Sequence, residues 1–254
     1  MVNNPGEALN AKGIKKYQEI IGQGNWLVQT THPTLATATS ILAGYCTQAT
    51  ESAAPVLQHY LRYLQHAKDY ALANDPTNFE GFMVSSDSDW AGLYSAIGDV
   101  RSRTGGEIKY NGMPIGWISK FQKCKGTSFD EDMELDDFYI STASAEAELH
   151  AAADTLKLAL HIHHIAKEMG LPVPQSIPLQ VDATAAIGKI QGPRGSGKMK
   201  HIDLRDAWIM QLRNRGMVDV IKVPGSDNGA DFFTKLLSRV EFCKHESRLM
   251  TQLP

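Results

Sequence analysis

The segment EIKYNGMPIGWIS, residues 107–119, decides the fold that the sequence predicts. Two β-like runs flank its central Asn111-Gly112, a dipeptide typical of two-residue hairpin turns. An earlier run, GFMVSSD at 81–87, has the same character, so we predict three consecutive antiparallel strands. The stretch ANDPTNFEG at 73–81, rich in turn-forming residues, indicates a linker before them.

Downstream of the hairpin, the hydrophobic pattern alternates between helices and strands. We predict a long helix from about Ser144 to Met169, ended by Gly170, and a final helix ADFFTKLLSRV at 230–240. Between them lie predicted strands IPLQVD at 177–182 and VDVIKVP at 218–224, separated by helices ATAAIGKIQ at 183–191 and IDLRDAWIMQLRNRG at 202–216. This order predicts an α/β fold, a mixed five-stranded sheet flanked by helices.

The residues before the linker have a different pattern. Residues 5–73 are predicted to be helical, and Pro33 fits the first turn of a helix. We therefore predict two domains, a helical segment at 1–75 and the α/β domain at 76–254.

Composition excludes several classes of protein. Cys46, Cys124 and Cys243 are far apart and show no zinc-ligand or disulfide spacing. The chain has no long apolar run and no apolar signal segment, so we expect an intracellular protein, cytoplasmic or nuclear, not secreted and without a membrane partner.

A formal net charge of −3 places any nucleic-acid contact on a local basic patch. One cluster suits this role and could neutralise phosphates, or could instead be a solvated loop: Arg194, Lys198, Lys200, His201 and Arg205.

Four acids occupy the ends of predicted elements. Asp87 and Asp182 end strands, Glu148 lies in the first turns of the long helix, and Asp231 opens the last helix. If they converge, their mutual repulsion favours bound divalent cations, and hard carboxylate oxygens favour Mg²⁺ or Mn²⁺. Each acid taken alone is also typical of a helix start or a strand end without any function.

The motifs around these acids resemble the ribonuclease H domain of copia-type retrotransposons. They are SDSDWAG at 86–92, GMPIGWISKFQ at 112–122, STASAEAELHAA at 141–152, VDATAAI at 181–187, KHIDLR at 200–205 and GADFFTK at 229–235. The resemblance implies a ribonuclease H-like sheet and hydrolysis of the RNA strand of an RNA·DNA hybrid. It also implies that Asp87, Glu148, Asp182 and Asp231 are the catalytic residues and hold two Mg²⁺ ions, with Mn²⁺ as a substitute.

The resemblance extends upstream. The runs at 17–42 and 59–72 are similar to the reverse-transcriptase thumb and connection that precede ribonuclease H in the same polyprotein. We expect no polymerase palm in this chain, and we expect the polymerase part of the parent polyprotein as a second partner.

Two alternatives stay open at this point. One is a catalytically inactive retrotransposon remnant that acts as a nucleic-acid-binding or interaction module. The other is a different two-metal nuclease or a strand-transfer enzyme on the same architecture, which would cut DNA duplexes. The acidic segment 123–139 looks like an insertion, and we interpret it as a solvated loop.

Overall fold

A computed structural model of the chain describes residues 6–74, 81–92, 101–122, 144–192 and 204–253. Its helices are α1 Ala11–Thr30, α2 Ala36–Ala43, α3 Ala53–His66, α4 Ser144–Glu168, α5 Thr184–Gln191, α6 Leu204–Asn214 and α7 Arg239–Leu249. Its strands are β1 Tyr70–Leu72, β2 Phe82–Asp89, β3 Arg103–Tyr110, β4 Met113–Phe121, β5 Ile177–Val181, β6 Val218–Lys222 and β7 Met250–Gln252. The described residues form two compact units, one from 6–73 with 236–253, the other from 74 to 235.

The larger unit is built on a five-stranded sheet with the order β4-β3-β2-β5-β6. Strands β2, β3 and β4 pair antiparallel, whereas β5 pairs parallel with both β2 and β6. The predicted α/β class with a mixed five-stranded sheet is therefore confirmed. The three predicted antiparallel strands are also confirmed, and each is longer than the run that predicted it.

The local signals act as the sequence predicts. Asn111 and Gly112 adopt positive φ values of 49° and 80°, the conformation that a tight hairpin turn needs and that Asn and Gly tolerate best. The long helix α4 spans Ser144–Glu168, and Gly170 with φ 74° follows its end.

The core of this unit lies between the sheet and α4. The buried face of α4 is mainly alanine and leucine, so the helix packs closely on β2 and β3. The buried core residues include Phe82, Val84, Ile108, Leu149, Ala152, Ala153, Leu156, Ile177, Leu179, Val181, Ile190 and Ile209.

Two adjacent glycines of β3 allow close approach on both faces of the sheet. A Cβ at Gly106 would lie 2.4 Å from Thr155 Oγ1 of α4. A Cβ at Gly105 would lie 2.6 Å from the carbonyl oxygen of Ala230. Ala230 belongs to a short 3-10 helix, Gly229–Phe233, which we call the Asp231 turn. Glycine at both positions therefore lets α4 and the Asp231 turn pack directly against the strand.

The predicted final helix at 230–240 is wrong. The Asp231 turn ends at Phe233, where the Thr234 hydroxyl turns inward to donate a hydrogen bond to Asp87 Oδ2. A separate helix, α7, then begins after Ser238, which forms a capping box with Glu241. The capping box provides a new start signal inside the predicted helix, so one predicted helix is in fact two elements.

The smaller unit contains α1, α2, α3, α7 and the antiparallel pair β1-β7. Asn10 caps α1, and Tyr17 donates a 2.7 Å hydrogen bond to Leu42 O of α2. Tyr63 of α3 donates a 2.6 Å hydrogen bond to Glu246 of α7. Because of these contacts, residues 236–253 group with the first unit, and the domain boundary predicted near residue 76 stays a prediction.

Candidate metal centre

Three of the predicted acids are brought together by the register of the sheet. Asp87 lies near the end of β2, and Asp182 follows β5 directly. The parallel register pairs Ser85 with Gln180, and its continuation brings Asp182 level with Asp87. Glu148 lies in the second turn of α4, the helix that packs on β2. The convergence of these three acids follows from strand pairing and helix packing.

The three carboxylates are close enough to share an ion. One oxygen each from Asp87, Glu148 and Asp182 lies within 4.8 Å of the others. Asp87 is only 2% exposed and Glu148 only 7%, whereas Asp182 is half-buried. This geometry is that of a partly enclosed group of hard oxygen ligands with one side toward solvent.

Asp231 stands beside this group rather than in it. Lys235 connects it to the cluster, since its Nζ lies 2.7 Å from Asp231 Oδ1 and 3.9 Å from Asp87 Oδ2. The Thr234 hydroxyl also donates to Asp87 Oδ2. The structure thus places all four predicted acids in one region, three as a compact group and the fourth linked to it through Lys235.

Burial and the repulsion between neighbouring carboxylates raise the pKa values of two acids in this group. Burial raises the pKa of Asp87 to about 7, with further contributions from Asp231 and Asp182, and Lys235 and Thr234 counter only part of this rise. Burial also raises the pKa of Glu148 to about 9, reinforced by Asp87 and Asp182. Burial alone would lower the pKa of Lys235, but the neighbouring carboxylates outweigh it and raise that pKa. Without a cation, the protein holds protons in this site at neutral pH.

The donor set fits a divalent cation. Glu148 Oε2 is buried, and it has no hydrogen-bond partner among the residues that the structure describes. A buried carboxylate oxygen without a partner is costly, and a cation bound there would supply the missing interaction. Oxygen ligands from Asp and Glu suit Mg²⁺ and Mn²⁺ rather than softer metals.

The predicted basic cluster cannot be placed in the same way. Arg194, Lys198, Lys200 and His201 lie outside the described residues, and Arg205 is described only as part of α6. The acidic segment 123–139 also lies outside them. Their roles stay predictions from the sequence.

The sequence interpretation did not assign Thr234 and Lys235. Both belong to the quoted motif GADFFTK, and Lys235 is four residues beyond Asp231, a spacing that places two side chains on one side of a helical turn. That spacing could have identified Lys235, whereas the contacts of both residues with Asp87, about 150 positions away, have no local signal.

Comparisons with known proteins agree with the motifs. The chain is 30% identical over 228 residues to the retrovirus-related Pol polyprotein from transposon RE2 of Arabidopsis thaliana, a match covering 89% of this chain and 14% of that protein. It is 26% identical over 233 residues to the corresponding polyprotein from transposon TNT 1-94 of Nicotiana tabacum, covering 90% of this chain and 16% of that protein. The chain thus spans about one seventh of the length of these polyproteins.

A shorter relative has a different name. Over 131 residues the chain is 30% identical to the secreted RxLR effector protein 161 of Plasmopara viticola, a match covering 52% of this chain and 88% of that protein. No protein-family model matches the chain. The matches to the Pol polyproteins cover about nine tenths of this chain, and the match to the effector protein covers about half of it.

Two solved structures with a similar course of the chain are those of a ribonuclease H1 and of a protease-reverse transcriptase. The LC11 ribonuclease H1 isolated from compost is 13% identical, with a TM-score of 0.40, and the match covers 61% of this chain and 92% of that one. A foamy viral protease-reverse transcriptase in complex with double-stranded DNA is 13% identical, with a TM-score of 0.45, covering 86% of this chain and 35% of that one.

No helix among the described residues combines the length and the apolar character that crossing a membrane requires.

Proposed function

We propose that this chain, whose relatives over about nine tenths of its length are Pol polyproteins of copia-type retrotransposons, is a magnesium-dependent ribonuclease H that cuts the RNA strand of RNA·DNA hybrids. One observation carries the proposal: carboxylate oxygens of Asp87, Glu148 and Asp182 lie within 4.8 Å of one another at one edge of the sheet. Such a cluster, with one open side, suits a cation that also contacts a phosphate.

The proposed roles follow from the positions of the side chains. Asp87, Glu148 and Asp182 would hold Mg²⁺, and Asp231, whose carboxylate pairs with Lys235, would be the fourth acid of the set. When bound, two such ions supply Lewis-acid activation of water and stabilise the charge that develops on the phosphate. The four carboxylates would position these ions, and the ammonium of Lys235 supplies one positive charge beside Asp231 and Asp87. Hydrolysis then leaves 5′-phosphate and 3′-hydroxyl ends.

Substrate binding is proposed to rest on the backbone of the hybrid. With a net charge of −3, the chain needs a local basic surface, and the cluster Arg194, Lys198, Lys200, His201 and Arg205 is proposed to supply it. The polymerase part of the parent polyprotein stays a proposed second partner.

A cleavage assay tests the proposal directly. A labelled RNA·DNA hybrid is incubated with the full chain in Mg²⁺ or in EDTA, beside Asp87→Asn and Asp182→Asn. We expect cleavage only with Mg²⁺, and a loss of at least about 100-fold in each variant, because even residues behind metal ligands typically contribute 10- to 100-fold.

The matched control is Asp219→Asn, an exposed acid of β6 that pairs in register with Pro178, at the end of the strand pair remote from Asp182. Its activity should equal that of the wild type. Cleavage that persists in EDTA, equal losses in all three variants, or preferential cutting of duplex DNA would refute the proposal.

A further inference from the structure

A buried asparagine connects two of the acidic segments. Asn228 is fully buried, and its Nδ2 donates a 3.0 Å hydrogen bond to the carbonyl oxygen of Ser86. Its Oδ1 accepts a 3.1 Å hydrogen bond from the backbone N–H of Ala230. Ser86 immediately precedes Asp87, and Ala230 immediately precedes Asp231. A single carboxamide therefore holds the backbone next to both acids, although they are far apart in the sequence.

A buried glutamine does the same on the other side of Asp87. Gln122 is 7% exposed, and its Nε2 lies 2.8 Å from Ala147 O and 3.2 Å from Ser88 Oγ. Ala147 immediately precedes Glu148, and Ser88 immediately follows Asp87. The backbone N–H of Ser88 also donates to the Glu148 carboxylate. Gln122 thus fixes the start of α4 against β2 at the point where Glu148 meets Asp87.

The chemistry of the two side chains suits this task. A carboxamide both donates and accepts hydrogen bonds, and it adds no charge to a site that already has four acids. Buried hydrogen bonds to backbone groups fix the positions of the Cα atoms. The side chains of the adjacent acids therefore extend from fixed backbone positions. A lysine or an acid at either position would change the charge that the site presents to a cation.

We propose that Asn228 and Gln122 are positioning residues of the metal centre, Asn228 setting Asp231 against Asp87 and Gln122 setting Glu148 against Asp87. This inference rests on the proposed function, since it assumes that the acids bind a cation. A purely structural role would be different: loss of either amide would weaken the fold but leave the affinity of the folded protein for metal unchanged.

Calorimetric titration of the metal-free full chain with Mn²⁺ separates these roles. The variants are Asn228→Ala, Gln122→Met and, as a milder change, Asn228→Ser, whose hydroxyl can still cap the Ala230 N–H while the bond to Ser86 O is lost. The matched control is Ser85→Ala, which removes a partly buried 2.8 Å hydrogen bond to Gln180 from the same strand without touching a residue adjacent to an acid of another element.

All proteins are titrated well below their unfolding temperatures, with folding checked by circular dichroism. We expect the Kd for Mn²⁺ to rise about 10- to 100-fold in Asn228→Ala, Asn228→Ser and Gln122→Met, the range typical of residues that orient metal ligands. The Kd of Ser85→Ala should stay that of the wild type. If Asn228→Ala does not fold, Asn228→Ser carries the test for that residue.

The outcomes are distinct. Wild-type protein that binds Mn²⁺ with variants of unchanged affinity overturns the inference alone. An equal loss of affinity in Ser85→Ala also overturns it, because the effect would then follow from any lost buried hydrogen bond. Wild-type protein that binds no Mn²⁺ overturns the proposed function and this inference with it.

Discussion

Glu148→Gln should stabilise the metal-free protein. The Glu148 side chain is buried beside Asp87 and Asp182, and its pKa is raised from 4.5 to about 9 by burial first and by those carboxylates second. Between these two pH values the folded state keeps a proton that the unfolded state releases. The folded state therefore binds more protons, and stability falls as pH rises through this window. Glutamine has the shape of the protonated acid and takes up no proton, so it avoids this loss.

The magnitude follows from the pH and the unfolded pKa. At pH 7.5 the cost of keeping the proton is roughly 1.36 kcal/mol for each of three pH units, about 4 kcal/mol. At pH 5.5 only one unit separates the pH from the unfolded value, and the cost is about 1.4 kcal/mol. Because both pH values lie below the folded pKa, its precise value barely enters. The gain from Glu148→Gln should thus grow about threefold from pH 5.5 to pH 7.5.

Urea unfolding in EDTA at the two pH values measures this gain. The control is Glu168→Gln, at the end of the same helix, whose side chain is 69% exposed. That change should alter stability by less than about 0.5 kcal/mol at either pH. In saturating Mg²⁺ the advantage of Glu148→Gln should shrink or reverse, because a ligand that binds only the folded wild type stabilises it.

A Glu148→Gln protein that is no more stable than the wild type at pH 7.5 in EDTA would contradict this prediction. A gain in stability that does not change with pH would contradict it as well. Either result would mean that Glu148 is not held among carboxylates in the folded protein.

Three further predictions concern Lys235, Gly106 and the basic cluster that the sequence predicts. Lys235→Met should destabilise the metal-free protein by about 1 kcal/mol at neutral pH, because Asp87 and Asp231 lose a neighbouring cation. Urea unfolding should show this difference without Mg²⁺ and not with it, and an equal loss of stability in Mg²⁺ would contradict the prediction. Gly106→Ala should lower the free energy of unfolding by about 1–3 kcal/mol, because the added methyl group clashes with Thr155. In a double-mutant cycle, Thr155→Ala in the same chain should recover part of this loss, whereas additive effects of the two changes would exclude the clash. Lys198→Gln should raise KM for the hybrid without changing kcat. It should also reduce the steepness of the plot of log association constant against log salt concentration by about 0.9, and Lys167→Gln at the end of α4 should have neither effect.

The sequence predicted the elements whose signals are local. The hairpin followed from Asn111-Gly112, and the end of α4 from Gly170, because each signal acts within a few residues of the structure it determines. The final helix was mispredicted because Thr234 turns toward Asp87, 147 positions away, and a new cap begins at Ser238. The pair β1-β7 was missed for a related reason, since Tyr70 meets Gln252 only after the whole larger unit has intervened.

The same difference between local signals and long-range contacts applies to the site. Its acids could be identified because each lies in a motif and at the end of an element. The groups that arrange them could not, since Asn228 and Lys235 act on β2 through contacts that span more than 140 positions. The residues next to Asn228 do not indicate these long-range hydrogen bonds, because asparagine is also typical of turns and of helix starts.

The energetics of the acids bear on the alternative of an inactive remnant. Holding Asp87 and Glu148 buried together, with both pKa values raised, reduces the stability of the metal-free fold above about pH 5. Replacing either acid with an uncharged residue of similar shape would relieve that cost, so in a chain with no use for a cation many single substitutions would be stabilising. The chain nevertheless has all four acids, and two buried amides fix the backbone beside three of them. A bound divalent cation reverses the sign of the electrostatic term, because it turns the mutual repulsion of the carboxylates into shared attraction. These energetics support the proposed metal binding over the alternative that the chain only binds nucleic acid or another protein.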